Sequence, residues 1–271
     1  MKSNQLQSDA KKTKGVNSAG LVILISLVIA VVVYKFVFGA PSNFMNNDPA
    51  NYPLPGNLLG TIYKGGFVVP VIQTLLLTVL ILSVERFFAI NRASGKGNMT
   101  AFVVAIKDAL AKGDLDGAEK LCNNFGGSLG NVVVSSLKLY KAQEADNTMT
   151  KEQKVLALQK NIEETTALEM PTLEQNLPVI ATMTTLGTLM GLLGTVLGMI
   201  RAFAAMATAG SPDTIALSTG ISEALVNTAF GIATGALAVI SYNYFTARID
   251  KITYSIDEAG FIIVQSYATK H

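Results

Sequence analysis

A chain of 271 residues in which 50% are hydrophobic and only 15% are charged is difficult to keep in water as a soluble globule. The net charge of +2, with no stripe of basic and aromatic residues, excludes a nucleic-acid binder, so no nucleic acid is expected as a partner. One cysteine, Cys122, rules out an intrachain disulfide, and one histidine, His271, rules out a histidine-built metal site or proton relay within the chain.

In chain order, residues 1–18 are a basic tail with Lys2, Lys11, Lys12 and Lys14. The first apolar block, 19–38, is long enough to cross about 30 Å of hydrocarbon as a helix. A signal peptide cut after Ala40 would put Phe38 where a small residue is needed, so the block reads as an uncleaved anchor. Residues 39–66 hold Pro41, Pro49, Pro53 and Pro55, with Lys64 as the lone basic group. That composition predicts a connection without regular helix. The second span, 67–90, opens after Gly65 and Gly66, carries Pro70 in its first turns and ends on Glu85 and Arg86, a charge pair suited to a membrane interface.

Between 91 and 176 the pattern turns amphipathic and predicts a helical cytoplasmic domain, with Phe102, Ile106, Ala109 and Leu110 on one face. Gly113–Asp114 and Gly126–Gly127 break its helices, Val134, Leu137 and Tyr140 or Lys141 mark the third, and a fourth starts near Thr150 with Glu152 in its first turn. Pro171 and Pro178 predict bends in that helix rather than a clean stop. Residues 177–207 and 214–245 are the third and fourth spans, joined by the short turn 208–213. The tail 246–271 continues as a helix with Ile252, Ile256, Ala259 and Ile263 at helical spacing. The fold class is all-α, a polytopic membrane protein with four transmembrane helices. The basic stretches share one side if both termini are cytoplasmic, as expected of a multi-pass protein in a lipid inner membrane.

Chemistry gathers in the last two spans. Glu223 lies within an apolar stretch, where a carboxylate costs about 2.5–3.5 kcal/mol and is kept for ion or proton handling. Folding the hairpin about Ala209 brings Thr195 level with Glu223, and Gly191 nearly level with Thr228, about 20 Å below the turn. Glu223, Asn227, Thr234 and Ser241 fall within about 40° on one helical face, and Thr188 and Thr195 belong to the facing stripe. The ion-pathway candidates are thus Thr188, Thr195, Glu223, Asn227, Thr228 and Thr234, although Thr228 stands about 140° from Glu223. Gly187, Gly191, Gly194, Gly198, Gly231 and Gly235 have the small-residue spacing of close helix packing. No Lys or Arg in either hairpin helix is expected at the depth of Glu223, and Arg201 is read as an anchor that snorkels to the interface. Cys122 reads as a small buried side chain. No hydrolase elbow, Walker loop, HExxH or dinucleotide fingerprint is present, so an enzyme is not expected.

These stretches resemble the MotA/TolQ/ExbB proton-channel family, most closely its ExbB branch. The resemblance is carried by Gly191-Leu-Leu-Gly-Thr-Val-Leu-Gly-Met-Ile-Arg-Ala-Phe203, by Gly220-Ile-Ser-Glu-Ala-Leu-Val-Asn-Thr-Ala-Phe-Gly231 and Tyr242-Asn243, and by Lys112-Gly-Asp-Leu-Asp-Gly-Ala-Glu-Lys-Leu-Cys122. It implies a homopentamer whose last two spans line a pore, an ExbD-like single-span partner dimer with an aspartate in that pore, and a TonB-like protein that carries the work to outer-membrane transport. Thr195, Glu223 and Thr228 match the family's polar pore positions. The implied ion is H+, with Na+ as the alternative, and no cofactor is expected. TolQ-like or MotA-like stators and a non-conducting scaffold are the competing readings. Gly187-Thr188 stands where the family often has Ala-Pro, and Leu237 where it often has proline.

Overall fold

The computed structural model of the protein describes residues 18–208 and 214–270. The expectations for Lys2, Lys11, Lys12 and Lys14, for the turn 209–213 and for His271 lie outside the described residues. Among the described residues the fold is all-α, with no strand beyond an isolated bridge between Phe44 and Pro53. Four helical stretches are long and apolar enough to cross a membrane: Ala19–Phe38, Val68–Ala93, Lys151–Ala204 and Leu217–Lys270. The chain divides into two compact units, and the divisions fall inside helices, after Thr78, Leu192 and Asn227.

The first unit takes the chain up to Thr78 together with Leu193–Asn227. Helix α1, Ser18–Val33, runs on through a wider-coiled turn, Tyr34–Phe38. Leu24, Val28 and Phe36 are 64%, 63% and 74% exposed, an outward apolar surface that only lipid or another apolar face would solvate well. The segment 39–66 corrects the expectation of a plain connection, because it contains helix α2, Leu58–Lys64. Prolines bar a helix only as far as Pro55; beyond it the run Leu-Leu-Gly-Thr-Ile-Tyr-Lys is free of breakers, and Asn57 caps it by accepting from the Gly60 amide at 3.0 Å. The segment also has a core of its own. Phe44 is 1% exposed and meets the Tyr63 ring edge-on, and Tyr63 stacks on Tyr34 at 4.7 Å. Asn43 donates to the carbonyls of Val37 and Phe38 and accepts from Asn57, tying the end of α1 to the start of α2.

The second unit comprises Val79–Leu192 and the chain from Thr228 onward. Helix α3, Val68–Ala93, delivers Arg86, 2% exposed, to this unit, where it pairs with Glu85 and donates to the Thr172 carbonyl at 3.1 Å. Asn176 donates to the same Glu85 at 3.2 Å. The pair therefore ties α3 to the chain around 172–176, a structural knot rather than a free interfacial pair. Helices α4, Met99–Ala111, α5, Leu115–Phe125, α6, Gly127–Glu144, and α7, Lys151–Glu174, pack in sequence as neighbours. Asp114 caps α5, Gly126 takes a positive φ of 66° that only glycine adopts freely, and Thr150 forms a capping box with Gln153. Proline 171 stays inside α7, but the chain does not simply bend: Asn176, at φ 65°, makes a turn between α7 and α8, Leu177–Thr208. Pro178, in the first turn of α8, has no amide to bond back across that point, so continuing the helix would leave a carbonyl of α7 unpaired.

Helix α9, Thr214–Lys270, is 57 residues long, so the amphipathic tail follows the fourth span with no break in helical hydrogen bonding. Its tail completes the core of the bundle: Ile252, Ile256, Ala259 and Ile263 are 0% exposed, beside fully buried Ile106, Leu129, Leu137 and Leu158. Tyr267 meets Tyr140 edge-on at 4.8 Å, and a Cβ on Gly260 would touch Ile162 at 2.9 Å.

Candidate functional site

Close approach of α8 and α9 follows from side chains that are barely there. Within the second unit, a Cβ at Gly231 would lie 2.6 Å from both the Gly187 carbonyl oxygen and the Gly191 Cα. One at Gly235 would lie 2.9 Å from the Thr184 carbonyl oxygen. Within the first unit, small residues also oppose one another, with added Cβ atoms at Gly194, Gly198 and Gly220 meeting Asn227, Ala224 and Ala202 at 2.5 to 2.8 Å. Every third or fourth residue on each helix is small, which is the spacing that lets backbones touch.

These opposed pairs also fix the register. Gly191 with Gly231, Gly198 with Ala224 and Ala202 with Gly220 are symmetric about position 211, not 209, whereas the contacts of Gly187 and Thr184 are made by carbonyl oxygens, which point along α8 toward the following turn. The shift of two positions per strand of the hairpin moves the facing residues by about one helical turn, roughly 5 Å. Thr195 therefore comes level with Asn227, and Glu223 with Met199, which corrects the expected Thr195–Glu223 layer. The physical reason is packing: Gly198 must face Ala224, and Gly231 must face Gly191, for the two helices to approach.

The six pathway candidates separate accordingly. Asn227 is 3% exposed and donates to the Gly65 carbonyl at 3.2 Å, at a place where a Cβ on Gly65 would be 2.6 Å from its Oδ1. Thr234 is fully buried and donates to Phe230 one turn back at 2.8 Å, so its hydroxyl hydrogen is spent within its own helix. Thr228 donates across the seam to the Gly191 carbonyl at 3.1 Å. Thr188 is exposed and donates to Thr184, and Thr195 is half-buried. Asn227, Thr228 and Thr234 are thus engaged in backbone contacts, and Glu223 has a different setting.

Glu223 opens into a cavity of about 340 Å³ in the first unit, whose walls include Ala50, Tyr52, Lys64, Arg201 and Thr219. Two expectations are corrected here. Arg201 and Lys64 share the carboxylate's cavity and act on its charge, so Glu223 is not without cationic neighbours. Arg201 is lodged against Gly66, where a Cβ would lie 2.8 Å from its Nη1, instead of extending away as an anchor. The register explains both: Arg201 comes level with Ile221, half a turn from Glu223, and the folded segment 39–66 supplies Lys64. Sequence reasoning missed Lys64 as a site residue. Its one signal was being the lone basic group in a proline-rich stretch, next to two glycines.

The second unit has a cavity of its own, about 440 Å³, with Glu174, Pro178, Tyr242, Thr246 and Asp250 among its walls. The motif 112–122 lies in the bundle and is structural. Asp114 caps, Gly113 takes a φ of 74°, and Asp116 and Glu119 both pair with Lys141 at 2.7 and 2.6 Å. Hydrogen bonding to Lys141 holds the Asp116 carboxyl below its ordinary value. Cys122 is 1% exposed, and burial pushes its thiol up to about 12. Among the described residues no group of histidine, cysteine and carboxylate side chains could hold a metal ion.

With this geometry in hand, comparison with known proteins is informative. Residues 134–258 match the MotA/TolQ/ExbB proton channel family. The chain is 34% identical over 80 residues to the Tol-Pal system protein TolQ of Pseudomonas aeruginosa, covering 30% of this chain and 35% of that protein. It is 31% identical over 84 residues to the TolQ of Haemophilus influenzae, covering 31% and 37% respectively. The chain thus spans about a third of the length of the curated relatives it matches.

Proposed function

We propose, from the match of residues 134–258 to the MotA/TolQ/ExbB proton channel family, that this protein is an ExbB-like motor subunit of an inner membrane. With an ExbD-like single-span partner it uses the proton motive force to energise TonB-dependent outer-membrane transport. In this reading the termini are cytoplasmic, segment 39–66 faces outward, and a homopentamer surrounds the partner. The observation that carries it is the pairing of a half-buried, cavity-lining Glu223 with a seam of glycines on the two helices of the family match.

The division of labour follows from the geometry. Glu223 is the one acidic group among the described residues of its cavity wall, so it is the group suited to take up or relay a proton beside the partner's aspartate. The driving force is about 2.3 kcal/mol per charge per 100 mV. That suffices to rotate or slide a helix past its neighbour but not to unfold one, and small side chains at Gly187, Gly191, Gly194, Gly198, Gly231 and Gly235 leave a smooth surface for such motion. Asn227 and Thr228 each tie α9 by a hydrogen bond to a neighbouring backbone, and Thr195, Thr188 and Thr234 extend the polar stripe along the two helices.

The similarity to TolQ proteins supports a second reading, a role in a Tol-Pal system. One experiment addresses both. In intact cells Glu223→Gln is expected to abolish the gradient-dependent process while leaving the assembled complex in the membrane. Co-purified subunits then distinguish the readings, an ExbD and TonB pair favouring the first. Unchanged nutrient uptake and unchanged envelope integrity in Glu223→Gln cells would overturn the role of Glu223 in either.

A further inference from the structure

Segment 39–66 brings a cation of its own to the Glu223 cavity. Lys64 leaves the last turn of α2, and its ammonium donates to the main-chain oxygens of Pro49 at 2.8 Å and Ala50 at 3.1 Å. The Phe44 ring lies 5.6 Å from the same nitrogen. Carbonyl oxygens beside an aromatic face are what a small cation would find attractive at that point. Here they already hold a cation that is covalently attached and cannot leave.

Arg201 supplies a second fixed cation to the same cavity. Its guanidinium fits against Gly66, whose φ of 77° and missing Cβ together make glycine the residue that leaves room for it. Among the described residues of the wall two cations face one carboxylate, so their formal charge is positive. A sodium ion entering must exchange most of its hydration shell for fixed oxygens, and the carbonyls of Pro49 and of Ala50, a residue of the cavity wall, are already taken by Lys64. A proton needs only one lone pair of Glu223 and forms a covalent bond there, so the same wall discriminates between the two ions.

We propose that Lys64 acts as a tethered cation that, with Arg201, closes the Glu223 cavity to sodium and makes the proton the ion this protein handles. The inference rests on the channel reading above and adds its ion specificity and the residues that set it.

The test uses the complex purified from its native membrane with its accompanying subunits and reconstituted in liposomes. Proton flux is followed with an internal pH dye and sodium flux with radioactive sodium. Wild type should pass protons and exclude sodium. Lys64→Met should raise sodium flux by about tenfold or more, the scale of removing one unit charge within several ångströms of an ion at intermediate dielectric. Lys64→Arg, which keeps the charge, should leave sodium excluded. Thr219→Asp adds a negative charge to the same wall with the Lys64 contacts intact, should also admit sodium, and carries the test should Lys64→Met fail to assemble. Sodium flux through wild type overturns the proposal, as does sodium exclusion in every variant that assembles and still conducts protons. A wild type that passes neither ion overturns the channel reading and this inference with it.

Discussion

Gly231→Ala tests the seam on which the register depends. The added methyl would sit 2.6 Å from the Gly187 oxygen and 2.6 Å from the Gly191 Cα. Contacts between such atoms normally settle near 3.5–4.0 Å, so α8 and α9 must separate locally by about 1 Å. That movement stretches the hydrogen bond from Thr228 to Gly191, now 3.1 Å, past useful length. Overpacking costs about 1–3 kcal/mol, and the lost bond about 0.6 kcal/mol more in a membrane setting. Alanine's better helix propensity returns about 1 kcal/mol. The net is a loss of about 0.6–2.6 kcal/mol, or a fall in melting temperature of roughly 1–10 °C for a chain of this size. Thermal unfolding in detergent, followed by helical circular dichroism, measures it. Ala233→Val is the control, since Ala233 is exposed on the other side of α9 and should shift stability by no more than about 0.5 kcal/mol. Equal melting temperatures for the two variants would refute the seam and the register read from it.

Arg86→Ala should destabilise the second unit by about 3 kcal/mol, because it strips the Thr172 carbonyl and Glu85 of a buried donor; the figure sits at the low end for such losses since Glu85 is itself 38% exposed. Denaturant unfolding checks it, and Arg86→Met combined with Glu85→Gln should recover part of the loss. Cys122 should react with iodoacetamide at pH 8 at least about a hundredfold more slowly than a free thiol, and at the ordinary rate once unfolded. The linkage has a definite sign. The folded chain keeps the thiol proton up to about 12, against an ordinary value of 9.0, so Cys122's contribution to stability is complete below pH 9 and declines as pH rises from 9 to 12. Fast labelling of the native protein, or a contribution that grows across that window, would contradict its burial.

Periodicity and length alone determine much of this protein. Four stretches must be helices long enough for a bilayer because apolar runs of that length have no other way to satisfy their backbone, and Ile252, Ile256, Ala259 and Ile263 declare a buried face by spacing. Glu223 stands out in sequence for the same reason, being charged where its neighbours are not. What sequence did not disclose depends on which surfaces meet. A hairpin's register cannot be counted from its turn, since it is set by where Gly198 meets Ala224 and Gly191 meets Gly231, and that choice moved Thr195 away from Glu223 and brought Arg201 beside it. Proline content likewise concealed α2, because four prolines forbid helix only where they stand. Lys64 reaches the cavity through the fold of 39–66, a path with no signature in local pattern. Charge compensation at Glu223 is therefore a property of tertiary structure: local spacing fixes which face a residue is on, but only packing decides what stands opposite.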